Sequence, residues 1–303
     1  MDQTLFERVA SNKRKTWFIF FLFYALFCLM GVAFGAYIGS YTAGVIVAVI
    51  IALIYMLIML SQGESVILAS AHAKEVTRQS HPQLFNIVDG VRIASGIPMP
   101  KVYVIEDSAL NAFATGRSPE RGVIAVTTGL LTKLNRRELE GVIAHEAAHI
   151  RNYDIRVMLF AAVLVGAITL LSDLMLRSFL WGGKGGDREG GSAQLVLIVV
   201  AIVLAILAPF IALLVQLAIS RRREYLADAD AAVMTRYPKG LADALRKIKG
   251  DPDPLVDMAN KATAHMYISM PFRHNKKGKP NAWTRLWSTH PQIDERIAIL
   301  EKM

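Results

Sequence analysis

The chain is organised around the stretch from Gly141 to Asp154, which reads GVIAHEAAHIRNYD. It contains one His-Glu-x-x-His motif, formed by His145, Glu146 and His149. Residues four apart lie on the same face of a helix, so both imidazoles can converge on one metal ion. Glu146 follows the first histidine, where it can hold and deprotonate a water on that metal. The alternative is a chance match on an ordinary amphipathic helix.

A second stretch, Arg221 to Asp228 (RRREYLAD), contains the best candidate for a third ligand. A catalytic zinc site requires three protein ligands in addition to a water. Glu224 lies four residues before Asp228, so the two share a helical face, and Glu224 would complete a His₂Glu set for one zinc ion per chain. Asp228 can accept a hydrogen bond from the other nitrogen of a ligand histidine and fix its tautomer. The alternative is a surface helix on which these carboxylates pair with arginines in solvent.

The composition argues against an ordinary soluble protein. Hydrophobic residues make up 53% of the chain and are gathered in long runs. The net charge of +9 comes from basic residues that flank these runs, which indicates orientation in a membrane rather than binding of nucleic acid. The single cysteine, Cys28, excludes an intrachain disulfide and a CxxC pair.

Four apolar runs predict four transmembrane helices, at 17–38, 41–60, 157–176 and 195–219. Each is long enough to cross the ~30 Å hydrocarbon core of a bilayer. A signal peptide is the alternative for the first run, but that run is too long and a second follows at once. Basic residues precede the first span and follow the second and fourth, so the positive-inside rule places both termini in the cytoplasm.

The remaining sequence predicts a soluble domain in two parts. The expected segments are a basic N-terminus (1–16), a membrane hairpin (17–60), the first soluble part (61–156), a second hairpin (157–219) and the second soluble part (220–303). In the first soluble part, residue types predict a helix at 82–94 and strands at 101–105, 111–115 and 123–127. We therefore expect a mostly α integral membrane protein whose cytoplasmic α+β domain carries a small antiparallel sheet.

Four segments together resemble the HtpX family of bacterial membrane metalloproteases. In chain order they are NAFATG (111–116), HEAAHIRNYD (145–154), SRRREYLADADA (220–231) and THPQIDERI (289–297). The resemblance implies a zincin-like metalloprotease domain in which His145, His149 and Glu224 bind Zn²⁺ and Glu146 is the general base. It also implies that Asp228 orients a ligand histidine.

Two further expectations follow from the resemblance. Asn111, Ala112 and Phe113 match an active-site edge strand, which in related zinc proteases pairs with the substrate backbone. A plain inner strand is the alternative. His290 matches the family's late His-Pro and would donate to the oxyanion of the tetrahedral intermediate. Its alternative role is as a neighbour of a helix N-cap, since Pro291 suits a first helical position.

The resemblance implies a zinc endopeptidase of the bacterial inner membrane with its active site in the cytoplasm. Its substrates would be unfolded or misfolded membrane proteins, degraded under stress alongside an AAA+ membrane protease, and a homo-oligomer is implied. Two alternatives stay open. One is a processing peptidase of the CAAX type, and the other is a non-catalytic membrane scaffold that holds zinc for structure.

Overall fold

The computed structural model describes residues 4–164, 166–167, 221–251, 267–268 and 291–303. The chain divides into two compact units. One gathers Met1–Lys13, Glu64–Leu159 and Gln216–Met303, and the other gathers Arg14–Gly63 and Phe160–Val215. Both soluble parts predicted from the sequence fall mainly in the first unit.

Two long helices, α1 (Leu5–Ile38) and α2 (Tyr41–Ser70), form a hairpin. Both are long and apolar enough to cross a membrane. Gly39 makes the turn with a φ of 77°, a conformation that costs glycine no steric strain. A Cβ on Gly44 would lie 2.3 Å from the carbonyl oxygen of Gly31, so glycine allows the two backbones to approach closely.

The hairpin contains the first two predicted spans, 17–38 and 41–60. The third predicted span begins in a helical segment at 154–164, and 166–167 are also helical. The rest of that span and the whole of the fourth, 195–219, lie outside the described residues.

The first unit contains a four-stranded sheet in the order β1-β2-β4-β3. The strands are β1 (Lys74–Glu75), β2 (Lys101–Ile105), β3 (Ala112–Thr115) and β4 (Val123–Thr127). Strand β2 pairs parallel with β4, and the other two pairs are antiparallel. The expectation of an antiparallel sheet was therefore wrong, and the sheet is mixed.

The reason lies in the position of β4, between β2 and β3. Successive strands β2, β3 and β4 each reverse direction, so β4 runs the same way as β2. The expected antiparallel sheet required neighbours in sequence to be neighbours in the sheet. All five residues of β4 are buried, as befits a central strand with neighbours on both sides.

Within the described residues, several α-helices pack around the sheet. They are α3 (Pro82–Ser95), α4 (Thr128–Lys133), α5 (Arg136–Arg151), α6 (Arg221–Thr235), α7 (Pro238–Gly250) and α8 (Ile293–Leu300). Helix α5 lies at the centre and contacts α3, α6, α7 and β3. A Cβ on Gly141 would lie 2.6 Å from the backbone nitrogen of Leu241, so this glycine lets α7 pack directly on α5.

Candidate metal centre

Helix α5 begins with a complete capping box. The Asn135 side chain accepts from the Glu138 backbone N–H at 3.0 Å, and the Glu138 carboxylate accepts from the Asn135 N–H at 2.8 Å. These bonds satisfy two of the backbone donors that a helix start leaves unpaired. From Gly141 to Ile150 every residue of the helix is buried, including both histidines and Glu146. The motif therefore lies in the core of the unit.

Three side chains bring their ligand atoms into one small triangle. His145 Nε2 lies 3.2 Å from His149 Nε2 and 3.6 Å from Glu224 Oε2. His149 Nε2 lies 3.6 Å from Glu224 Oε1. Their exposed fractions are 0%, 4% and 3%, so the triangle is shielded from bulk solvent.

The dimensions of this triangle fit a metal ion. Ligand atoms about 2.0–2.1 Å from a tetrahedral zinc ion stand roughly 3.3–3.4 Å apart. Two imidazole nitrogens and one carboxylate form a donor set that zinc accepts in catalytic sites. The predicted ligands His145, His149 and Glu224 are thus brought together as a group that could hold one metal ion.

Glu146 is buried beside this group, with 2% of its surface exposed. Burial raises the pKa of the Glu146 carboxyl, and the neighbouring His145 and His149 oppose that rise. A carboxylate whose pKa is raised toward neutrality is a better match for proton transfer near neutral pH than a solvated one.

Asp228 supports the first histidine. Its Oδ1 lies 2.9 Å from His145 Nδ1, which directs the Nε2 of that ring toward the triangle. Arg296 donates two hydrogen bonds to the same carboxylate, from Nε at 2.8 Å and from Nη2 at 2.7 Å. Asp228 is 1% exposed and Arg296 is 0% exposed, so the pair is entirely inside the protein.

The Asp228–Arg296 pair and His145 shift one another's pKa values. Burial raises the pKa of Asp228, but Arg296 and His145 outweigh it and lower that pKa to about 2. Burial and Arg296 lower the pKa of His145, yet Asp228 and Glu224 outweigh them and raise it to about 9. Asp228 is therefore an ionised acceptor throughout the physiological pH range.

Asp154 supports the second histidine in the same way. Its Oδ2 lies 3.0 Å from His149 Nδ1, and its Oδ1 lies 2.7 Å from Arg223 Nε. Asn12, near the start of α1, also donates from Nδ2 to Asp154 Oδ1 at 2.8 Å. Each ligand histidine thus has its own carboxylate, and each carboxylate has its own arginine.

The predicted substrate strand lies at the edge of the sheet. Asn111, Ala112 and Phe113 are 3%, 0% and 1% exposed. Phe113 forms an antiparallel bridge with Tyr267, and Ile268 donates its backbone N–H to the Ala112 carbonyl at 2.9 Å. Residues 267–268 therefore pair with the side of β3 that does not face β4.

Of the remaining predicted site residues, Asp228 lies beside a ligand histidine, and His290 falls outside the described residues. Sequence reasoning missed Asp154, Arg223 and Arg296. Asp154 closes the HEAAHIRNYD segment, and Arg296 lies in THPQIDERI, so both were in quoted motifs without a role. Arg223 looked like one of three basic residues that end a span. Asn12, also missed, has no signal in the sequence.

Comparisons with known proteins identify the family of the chain. A family model described as peptidase family M48 matches residues 78–303. Two relatives share the name protease HtpX homolog. The one from Dictyoglomus turgidum is 45% identical over 300 residues, covering 99% of this chain and 95% of its own. The one from Listeria monocytogenes serotype 4a is 47% identical over 309 residues, covering 99% and 100%.

Among solved structures, that of S. mikatae Ste24p is similar, with a TM-score of 0.51 and 20% sequence identity. The match covers 93% of this chain but only 62% of the longer Ste24p chain. At this level of identity the likeness bears on the fold alone.

Proposed function

The chain belongs to peptidase family M48, and on that premise we propose that it is a zinc endopeptidase that degrades unfolded or damaged membrane proteins. Its kinship with proteins named protease HtpX homolog makes it a membrane metalloprotease, a hydrolase of peptide bonds. The observation that carries the choice of zinc is the triangle of His145, His149 and Glu224, with edges of 3.2 and 3.6 Å.

The residues in and around the triangle have different roles in hydrolysis. His145, His149 and Glu224 hold the ion. When bound, zinc supplies a water of lowered pKa and polarises the scissile carbonyl. Glu146 would take a proton from the attacking water and pass it to the leaving amine. Its buried position supports this role, because a carboxylate of raised pKa takes up a proton more readily than a solvated one.

His290 would donate a hydrogen bond to the oxyanion that forms at the attacked carbonyl. The support for this assignment is the match of Thr289-His-Pro291 to the family pattern. Such a donor contributes roughly 2.7–4 kcal/mol to catalysis where it exists.

A substrate would pair with the outer edge of β3 through its backbone, which is β-augmentation. Asn111, Ala112 and Phe113 would provide the contacts. The pairing of Tyr267 and Ile268 with this edge supports the proposal, because it is an antiparallel backbone contact on the side of β3 away from β4. A substrate that binds there takes the place of these two residues.

A disulfide between positions 113 and 267 tests this substrate site. The bond from Ile268 N–H to Ala112 makes Phe113 and Tyr267 a non-hydrogen-bonded pair, whose Cα atoms lie about 4.5 Å apart in antiparallel sheets. That separation permits a disulfide. Phe113→Cys with Tyr267→Cys, made in a Cys28→Ser background, should cleave an unfolded protein when reduced and lose this activity when oxidised. Equal activity in both states would place the substrate elsewhere.

The setting is the inner membrane of a bacterium, with four spans and with both termini and the active site in the cytoplasm. The apolar hairpin of α1 and α2 and the basic residues that flank it support this placement. In this arrangement 61–156 and 220–303 form one catalytic domain, and the predicted hairpins 17–60 and 157–219 anchor it. The resemblance to HtpX supports a role in stress quality control, beside an AAA+ membrane protease and as a homo-oligomer.

A zinc-holding scaffold without activity is less favoured. Structural zinc sites use four protein ligands, whereas the described residues offer a group of three with a buried glutamate next to it. That arrangement leaves one position for a water, as catalysis requires.

The experiment that tests the proposed activity is cleavage of an unfolded model protein in detergent. The protein is treated with chelator, refilled with zinc and assayed beside Glu146→Gln. We expect zinc to restore cleavage in the wild type but not in the variant, although the variant still binds zinc. Undiminished cleavage by Glu146→Gln would remove Glu146 as the general base. No cleavage by the zinc-loaded wild type would contradict the proposed function.

A further inference from the structure

The carboxylate behind His149 is held by two side chains from distant parts of the sequence. Arg223 donates from Nε to Asp154 Oδ1 at 2.7 Å, and Asn12 donates from Nδ2 to the same oxygen at 2.8 Å. Asn12 lies 142 residues before Asp154. Asp154 in turn lies 3.0 Å from His149 Nδ1.

Both the nitrogen and the oxygen of the Asn12 amide form hydrogen bonds in this network. Its Nδ2 donates to Asp154 and also to the Asn152 carbonyl at 2.9 Å, while its Oδ1 accepts from Arg223 Nη2 at 3.2 Å. Both partners of the nitrogen are acceptors and the partner of the oxygen is a donor, so only one orientation of the amide satisfies all three. Asn12 is 5% exposed, and buried amides are held firmly when their bonds are complete.

A second contact attaches the same turn of α1 to the site. Arg8, four residues before Asn12 and hence on the same helical face, forms a 3.1 Å ion pair with Asp230. Asp230 also accepts from Asn152 Nδ2 at 2.9 Å. Thus Arg8 and Asn12 both lie against the end of α5 and the side of α6 that carry the ligands.

We propose that Asn12 is a positioning residue of the metal centre: it holds Asp154 against Arg223, and Asp154 in turn fixes the ring of His149. Residues 4–13 are then a part of the metal-binding unit rather than only a basic lead into the first membrane span. The family model begins at residue 78, so this support comes from outside the region that defines the family. The inference rests on the proposed metal site.

Zinc affinity, measured by chelator competition on the full-length protein in detergent, tests this role. Asn12→Leu keeps the approximate shape of the side chain and removes the hydrogen bonds of its amide. Asn12→Asp keeps the acceptor for Arg223 but places a like charge against Asp154. Loss of an outer hydrogen-bond partner typically weakens metal binding by about 10- to 100-fold. We expect a loss of about tenfold for Asn12→Leu, and at least as large a loss for Asn12→Asp. The control Ser11→Ala, next to it on α1, should bind zinc as the wild type does.

Two further measurements separate positioning from a general folding defect. The visible absorption spectrum of the Co²⁺-substituted protein should change in both Asn12 variants, because that spectrum reports ligand geometry. In an Asp154→Asn background, Asn12→Leu should have little additional effect on zinc affinity, since Asn12 acts through Asp154.

Wild-type zinc affinity and an unchanged cobalt spectrum in both Asn12 variants would overturn the inference while leaving the proposed function intact. An effect of Asn12→Leu that persists in full without the Asp154 carboxylate would also overturn it. Failure of the wild type to bind zinc would instead contradict the metal site itself.

Discussion

The two histidines of the candidate metal centre lie on one helix, but different residues support them. Behind His145, the Asp228–Arg296 pair is completely buried and joined by two hydrogen bonds. Behind His149, Asp154 receives single bonds from Arg223 and Asn12, and Arg223 is 7% exposed. The first support is one tight ion pair from α6 and α8. The second is a network that reaches back to α1. The two histidines of one motif therefore depend on side chains from different parts of the chain.

The largest difference should appear in stability. Arg296→Met keeps the apolar stem but removes the guanidinium of a buried ion pair, which costs about 3–5 kcal/mol in free energy of unfolding. Arg223→Met should cost less, about 1–3 kcal/mol, because Asn12 still donates to Asp154. Denaturant unfolding of the chelated protein in detergent measures both.

The matched control for that pair is Arg246→Met, because the Arg246 side chain is 42% exposed. It should change the free energy of unfolding by no more than about 0.5 kcal/mol. Equal losses from Arg296→Met and Arg223→Met would remove the distinction between the two supports.

A smaller effect should appear in metal affinity. Asp228→Asn and Asp154→Asn each preserve shape and remove the charge that orients a ligand ring, so each should weaken zinc binding by about 10- to 100-fold. The loss should be greater for Asp228→Asn, because the buried Arg296 then loses the carboxylate to which it donates two hydrogen bonds. A greater loss in Asp154→Asn, measured by chelator competition, would reverse the comparison.

The sequence predicted which side chains form the candidate metal centre better than it predicted the residues that support them. The spacing of His145 and His149 reports a shared helical face directly, and Glu224 and Asp228 repeat that spacing on α6. This four-residue spacing can be recognised within a short stretch of sequence. The contacts of Asn12 and Arg296 depend instead on how remote helices pack, and no local pattern encodes that.

The sheet illustrates the same limit. Residue types identified β2 and β4 within their observed bounds, and β3 to within one residue. They did not predict that β4 lies between β2 and β3. The order of strands in a sheet depends on which strand is buried in the core on both of its faces. The helical hairpin followed from composition alone, since only two long apolar helices with a short connector fit residues 17–60.

The proposed chemistry requires one metal ion held by His145, His149 and Glu224, so metal content is the most direct test. The protein is purified, saturated with zinc, freed of excess metal and measured for zinc per chain beside Glu224→Ala. Asp294→Ala, which removes a largely exposed carboxylate on α8, serves as the control. We predict one zinc per chain in the wild type and in Asp294→Ala, and loss of stoichiometric zinc in Glu224→Ala. One zinc per chain in Glu224→Ala would contradict the proposed ligand set, because the third ligand would then be another residue.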